Sequence, residues 1–215
     1  MRTVQNIDQF GVVPVNYHSL KNVFEEYRSP EDKIERLETS GDLIRLKRGL
    51  YVLSPEIAKE PLSKELIANH LLGPSYISLQ SALSYYGLIP ERVYLTLSVT
   101  TKRAKKYKTP IGEFSYVTVD KNYYPIGIKI QFIENQYSFL IASPEKALCD
   151  LILNTKRLSI KSAKGMLSFL ENDIRFDMGA LKTFDGKIIA ECADKTTKKQ
   201  QELIFLHQIV IHERV

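Results

Sequence analysis

Two cysteines, Cys149 and Cys192, are all that the 215 residues contain. That is too few for a disulfide scaffold or a Cys-rich zinc site, and the apolar helical context of both suits buried free thiols. Long apolar runs are missing too. No stretch approaches the roughly 18 residues that a membrane helix needs. The opening MRTVQNIDQFGVVPVNYHSL lacks the continuous apolar core of a signal peptide. A cytoplasmic protein with no membrane partner is the expectation.

Catalytic signatures are equally scarce. The four histidines, His18, His70, His207 and His212, lie in separate contexts, and a five-residue step keeps the last two off one helix face. There is no H-E-x-x-H, G-x-S-x-G, Walker-type or G-x-G-x-x-G pattern. Neither cysteine has a histidine near it in the chain to suggest a nucleophilic pair. The nearest approach to a metal-dependent nuclease core is Asp120 followed by Gly127-Ile128-Lys129, where glycine stands in the place of the second acid. The reading is a non-enzyme without metal or cofactor.

What the chain does have is a core-forming composition, 44% hydrophobic and 26% charged, and a mild positive excess of +5. The excess is uneven. Residues 1–60 carry 9 basic and 10 acidic side chains, residues 61–150 carry 10 and 7, and residues 151–215 carry 11 and 8. The densest cluster is Lys102, Arg103, Lys105, Lys106 and Lys108. It reads either as a solvated hairpin end or as a surface for phosphates or an acidic partner.

The pattern predicts an α+β protein: an N-terminal winged helix-turn-helix over residues 1–58, then a mixed α/β domain over 61–215. The latter divides into an α/β part (61–155) with a roughly four-stranded sheet and a helical part (156–215). Residues 17–27 have helical spacing. Ser29-Pro30-Glu31-Asp32 is a strong helix start, with a capping hydroxyl, proline in the first turn and two acids at the positive end of the dipole. Gly41 suits a left-handed helix end. Leu43–Leu46 and Leu50–Leu53 then read as a hairpin turning at Lys47-Arg48-Gly49.

Such a module places its second helix in the major groove and its wing on backbone or minor groove. Here Lys33, Arg36 and Thr39, with Ser40, are the helix candidates, and Arg45, Lys47 and Arg48 the wing candidates. A small α/β unit without a DNA role is the other reading. Glu31, Asp32, Glu35 and Glu38 on the same helix oppose phosphate binding. The charge deficit therefore predicts that the Lys102–Lys108 cluster joins the DNA contact.

Beyond residues 54–61, taken as a linker, Pro61-Leu62 opens a helix through Leu72, and Ser78 or Ser81 starts another that ends at Gly87. Strands are expected over 93–100, 112–119, 126–133 and 137–141, rich in Val, Ile, Tyr, Phe and Thr. Ser143-Pro144-Glu145 starts the next helix, in which Glu145 and Asp150 are expected to cap and meet solvent. Tyr76, Tyr85 and Tyr86 are expected in the core or at its rim.

The segment G-P-S-Y-I-S-L-Q-S-A-L-S-Y-Y-G-L-I-P-E (residues 73–91) resembles the AbiEi family, antitoxins of type IV toxin–antitoxin systems linked to abortive phage infection. Residues 33–53, V-T-T-K-R at 99–103 and A-S-P-E-K-A-L-C-D-L at 142–151 are similar to further motifs of that family, so the likeness covers roughly residues 15–155. The resemblance implies a winged helix that binds the promoter DNA of its own operon as an autorepressor. It also implies a C-terminal domain that counteracts a nucleotidyltransferase-type toxin without a stable complex. The alternative is a protein-interaction module, or a winged-helix regulator without a toxin partner.

Overall fold

The computed structural model describes residues 7–133 and 136–213. The chain opens with a 3-10 turn (Asp8–Phe10), strand β1 (Val15–Asn16), helices α1 (Tyr17–Val23) and α2 (Pro30–Ser40), and strands β2 (Leu43–Lys47) and β3 (Leu50–Leu53). Each boundary has a local cause. The Asn16 side chain accepts the Ser19 amide at 2.9 Å and starts α1. Ser29 caps α2, Pro30 occupies its first turn, and Gly41 ends it with a φ of 83°. Helix α1 stops four residues short of the expected Tyr27. The three strands pair antiparallel in the order β1-β3-β2.

The expected linker contains a helical turn, α3 (Pro55–Ala58), capped by Ser54. Helix α4 (Lys64–Leu71) is started by Ser63, whose Oγ accepts the Leu66 amide at 3.1 Å, rather than by Pro61. There follow β4 (Ser75–Ile77), α5 (Leu79–Tyr85), β5 (Thr96–Thr100), β6 (Lys105–Thr109), β7 (Gly112–Thr118), β8 (Ile128–Ile133), β9 (Tyr137–Ala142) and α6 (Pro144–Asn154). Helical segments then run to the end of the described residues. They are α7 (Ala163–Ser168), a π-helical turn (Phe169–Asp173), a 3-10 segment (Met178–Thr183), α8 (Gly186–Asp194) and α9 (Gln200–Glu213).

The second sheet has six strands, not four, in the order β6-β7-β5-β4-β9-β8. The two unexpected strands have clear reasons for escaping the pattern. β4 is only three residues long. β6 reads K-K-Y-K-T and lacks apolar alternation because it is an outer strand, where lysines keep the unpaired edge in water. β5 runs parallel to β7 and β4 parallel to β9, whereas the remaining pairs are antiparallel.

Helices cover both faces of this sheet. Tyr116 of β7 points to α4, where its hydroxyl donates to the Ala68 carbonyl at 2.6 Å. Tyr76 of β4 shares a face with Val99 and Val117, the neighbours of opposite alternation, and reaches α6. Helices α7 to α9 pack behind α6.

Two apolar cores result, and the first hairpin belongs to both. Leu43, Tyr51 and Leu53 pack with Leu20, Phe24, Ile34 and Leu37, while Leu46, Leu50 and Val52 pack into the large core with Ile67 and Leu71. All four residues of β3 are buried. The hairpin thus fixes the N-terminal module to α4 through alternate side chains.

Gly127 just before β8 lies against the start of α6. Its φ is 61°, and a β-carbon there would stand 2.9 Å from Lys146 Cβ and 3.0 Å from Ile188 Cγ2. Gly127→Ala is expected to lower stability by about 1–3 kcal/mol through overpacking and a strained backbone, measured by urea denaturation; an unchanged midpoint would contradict this packing. The same crowding leaves no room for a carboxylate at this position.

Candidate nucleic-acid interface

The hairpin and the cationic edge of the second sheet approach one another. The hairpin turn presents Arg48 to solvent, while Lys47 is half-buried. Lys47 Nζ donates to the Leu71 carbonyl at 2.6 Å and lies 5.9 Å from the Tyr107 ring centre of β6. Burial, with Lys105 and Lys102 nearby, pushes the Lys47 ammonium pKa below its ordinary value. Lys47 therefore acts as a strut between the modules as well as a source of charge.

The five clustered cations do not share one surface. Lys105 stands opposite Tyr116 and Tyr107 opposite Phe114, so both lie on the sheet face that holds α4 and the hairpin. Lys105 Nζ sits 4.8 Å from the Tyr107 ring centre. Lys106 and Lys108 stand opposite Ser115 and Glu113, on the other face, and Lys108 pairs with Glu113 at 3.6 Å. Lys102 and Arg103 are exposed in the loop before β6. Lys64 at the start of α4 adds a cation near the β6–β7 turn, 3.6 Å from where a Gly112 β-carbon would be. Lys102 and Lys105 thus adjoin the hairpin, and Lys106 and Lys108 turn away from it.

Helix α2 exposes Asp32, Glu35, Arg36 and Thr39. Two of its four acids are paired by neighbouring elements. Lys21 of α1 holds Glu31 at 2.6 Å, and Arg45 of β2 holds Glu38 at 3.1 Å. These surface pairs contribute little stability, but they offset charge that would repel phosphate. Arg45 also donates to the Tyr51 hydroxyl at 3.3 Å. Lys33 lies 5.8 Å from the Tyr27 ring centre. Between α2 and the hairpin runs a groove lined by Tyr17, Glu35, Thr39, Arg45 and Tyr51, which continues past His18 to Arg48.

A second cluster lies in the interior. Asp150 is wholly buried rather than solvated. Its Oδ2 accepts the Ser78 hydroxyl at 2.6 Å and the Tyr76 hydroxyl at 3.0 Å, and its Oδ1 accepts the Tyr123 hydroxyl at 2.8 Å. Lys146, also wholly buried, stands 3.4 Å from Asp150 Oδ1, and its ammonium donates to the Tyr123 carbonyl at 3.0 Å. That ammonium also lies over the Tyr123 ring. Burial raises the pKa of Tyr76 and Tyr123, chiefly by desolvation and then by the Asp150 charge. Glu145 is buried too, and its Oε1 accepts the Asp185 amide at 2.9 Å. The i,i+4 spacing of Lys146 and Asp150 is the only sequence signal for the pair; the tyrosines reach it from distant strands and loops.

The thiols of Cys149 on α6 and Cys192 on α8 are both buried, and burial raises the pKa of Cys149. Among the described residues, no group of three or more His, Cys, Asp or Glu side chains is arranged to hold a metal, and no helix is long and apolar enough to cross a membrane. No protein-family profile matches the chain, and neither does a curated protein sequence.

Proposed function

We propose that the protein is a DNA-binding autorepressor and antitoxin of a type IV toxin–antitoxin system, counteracting a nucleotidyltransferase-type toxin. The observation that carries the DNA half is the meeting of Lys47 of the hairpin and Lys105 of the sheet edge at the Tyr107 ring, 5.9 and 4.8 Å from its centre, with Lys102 exposed in the adjoining loop. The order of the first elements, with α2 followed by a hairpin whose turn exposes Arg48, agrees with a winged helix. In this reading α2 enters the major groove with Arg36 and Thr39, Arg48 contacts the backbone beside it, and Lys102 and Lys105 extend the phosphate contact onto the second sheet.

The antitoxin half rests on the four AbiEi-like motifs. Two of them, around residues 73–91 and 142–151, meet at the Tyr76–Ser78–Asp150 network. A second reading, in which α2 docks a protein, is favoured by the exposed Asp32 and Glu35.

Co-expression with the neighbouring toxin gene tests the antitoxin role. The full-length chain is expected to restore growth, and growth arrest that persists at equal protein levels contradicts the role.

A further inference from the structure

Where β7 ends, a cavity of about 350 Å³ opens between the strand end, α6 and the 195–199 loop. That volume falls at the small end of the range for ligand pockets. Val119, Tyr123 and Leu153 give it apolar lining. One wall is K-T-T-K, residues 195–198, with two ammonium groups and two hydroxyls. The other wall carries Thr118, Asp120 and Asn154.

The two walls ask for different chemistry. Asp120 Oδ1 accepts the Asn122 amide at 2.7 Å, which fixes the carboxylate. Asn154 donates one Nδ2 hydrogen to the Asp150 carbonyl at 2.9 Å, and its Oδ1 remains an acceptor. Asp120 and Asn154 thus present acceptors, which suit sugar hydroxyls and an exocyclic amine. The 195–198 wall presents cations. Lys195 shares its charge with Asp194 at 2.8 Å, but Lys198 and the adjacent Lys199 leave this loop positive. Lys199 is held by the Ile152 and Thr155 carbonyls at the end of α6, which fixes the loop in place.

We infer that this cavity is a mononucleotide site, with the phosphate on Lys195, Lys198 and Thr197, the base on Val119 and Leu153, and the ribose at Asp120. A lining that combines acceptors, cations and apolar surface matches a ligand that carries hydroxyls, a phosphate and a flat base. The site adjoins the loop that carries Lys102, because the Thr118 hydroxyl donates to the Lys102 carbonyl at 2.8 Å. It also abuts the interior network through Tyr123, whose hydroxyl is held by Asp150.

Calorimetry of the full-length protein with each nucleoside 5′-monophosphate, ribose 5-phosphate and inorganic phosphate tests this. One nucleotide per chain is expected to bind, with ribose 5-phosphate and inorganic phosphate at least about tenfold weaker for want of a base. The exposed double replacement Lys195→Glu, Lys198→Glu is expected to weaken nucleotide binding by more than about tenfold. Lys108→Glu, at the far end of β6, is expected to leave it unchanged. Circular dichroism confirms that each variant folds. No saturable nucleotide binding, phosphate binding as tightly as nucleotide, or equal loss in Lys108→Glu would each overturn the assignment. DNA binding retained by the double replacement separates this site from the hairpin face.

Discussion

Asp150→Ala is expected to lower the unfolding free energy by about 3–5 kcal/mol, the range for removing one partner of a buried ion pair. The carboxylate takes hydrogen bonds from Tyr76, Ser78 and Tyr123 and faces the Lys146 ammonium, and both charged groups are wholly buried. Alanine would leave three hydroxyls without their acceptor and an ammonium with only the Tyr123 carbonyl and aromatic rings. Each unsatisfied buried group carries its own desolvation cost. Asp150→Asn keeps an acceptor for the hydroxyls but leaves the ammonium unpaired, so a smaller loss is expected. Urea denaturation of the three proteins measures both. A loss below about 1 kcal/mol for Asp150→Ala would place the network with weak surface pairs and contradict this account.

The second large effect is expected at the sheet edge. Lys102→Glu with Lys105→Glu removes two positive charges beside the hairpin and adds two negative ones. Each phosphate contact contributes about 0.9 to the slope of log affinity against log salt. The double replacement is therefore expected to reduce that slope by about 2 and to weaken DNA binding by more than about tenfold at low salt. The matched pair Lys106→Glu, Lys108→Glu changes total charge equally but sits on the opposite face. It is expected to have a much smaller effect. Fluorescence anisotropy on one duplex compares the two. Equal losses would show that net charge, not placement, governs binding.

Local chemistry made much of the N-terminal module readable. Ser29, Pro30 and Gly41 mark both ends of α2, and the Lys47-Arg48-Gly49 turn marks the hairpin. The helical tail was readable from its apolar spacing. What escaped depended on distant partners. β6 is a strand because β7 accepts its backbone, and its own lysines argue against burial. Asp150 looked like a solvent-facing helix residue, yet Tyr76 and Ser78 arrive from 74 and 72 residues away. Residues 54–61 read as a linker, but nothing in the sequence pattern showed that Leu46, Leu50 and Val52 pack into the large core with Ile67 and Leu71. A fragment ending at residue 58 would expose these three side chains, so comparisons of DNA binding belong on the full chain.

Contacts between elements offset the acidity of the N-terminal module. Residues 1–60 have one more acid than base, and α2 lowers its acidity through Lys21 and Arg45. The hairpin seats itself against the cationic strand, with Lys47 bonded across to α4. A slightly acidic module thereby acquires a positive flank from its neighbour.

The most direct measurement is the affinity of the full-length protein for duplex DNA from upstream of its own gene, followed from about 50 to 200 mM salt. Affinity falling steeply with salt, with a slope that Lys102→Glu, Lys105→Glu reduces by about 2, is the predicted result. Affinity that ignores salt, or a slope that the double replacement leaves intact, would contradict a DNA interface shared by the hairpin and the second sheet.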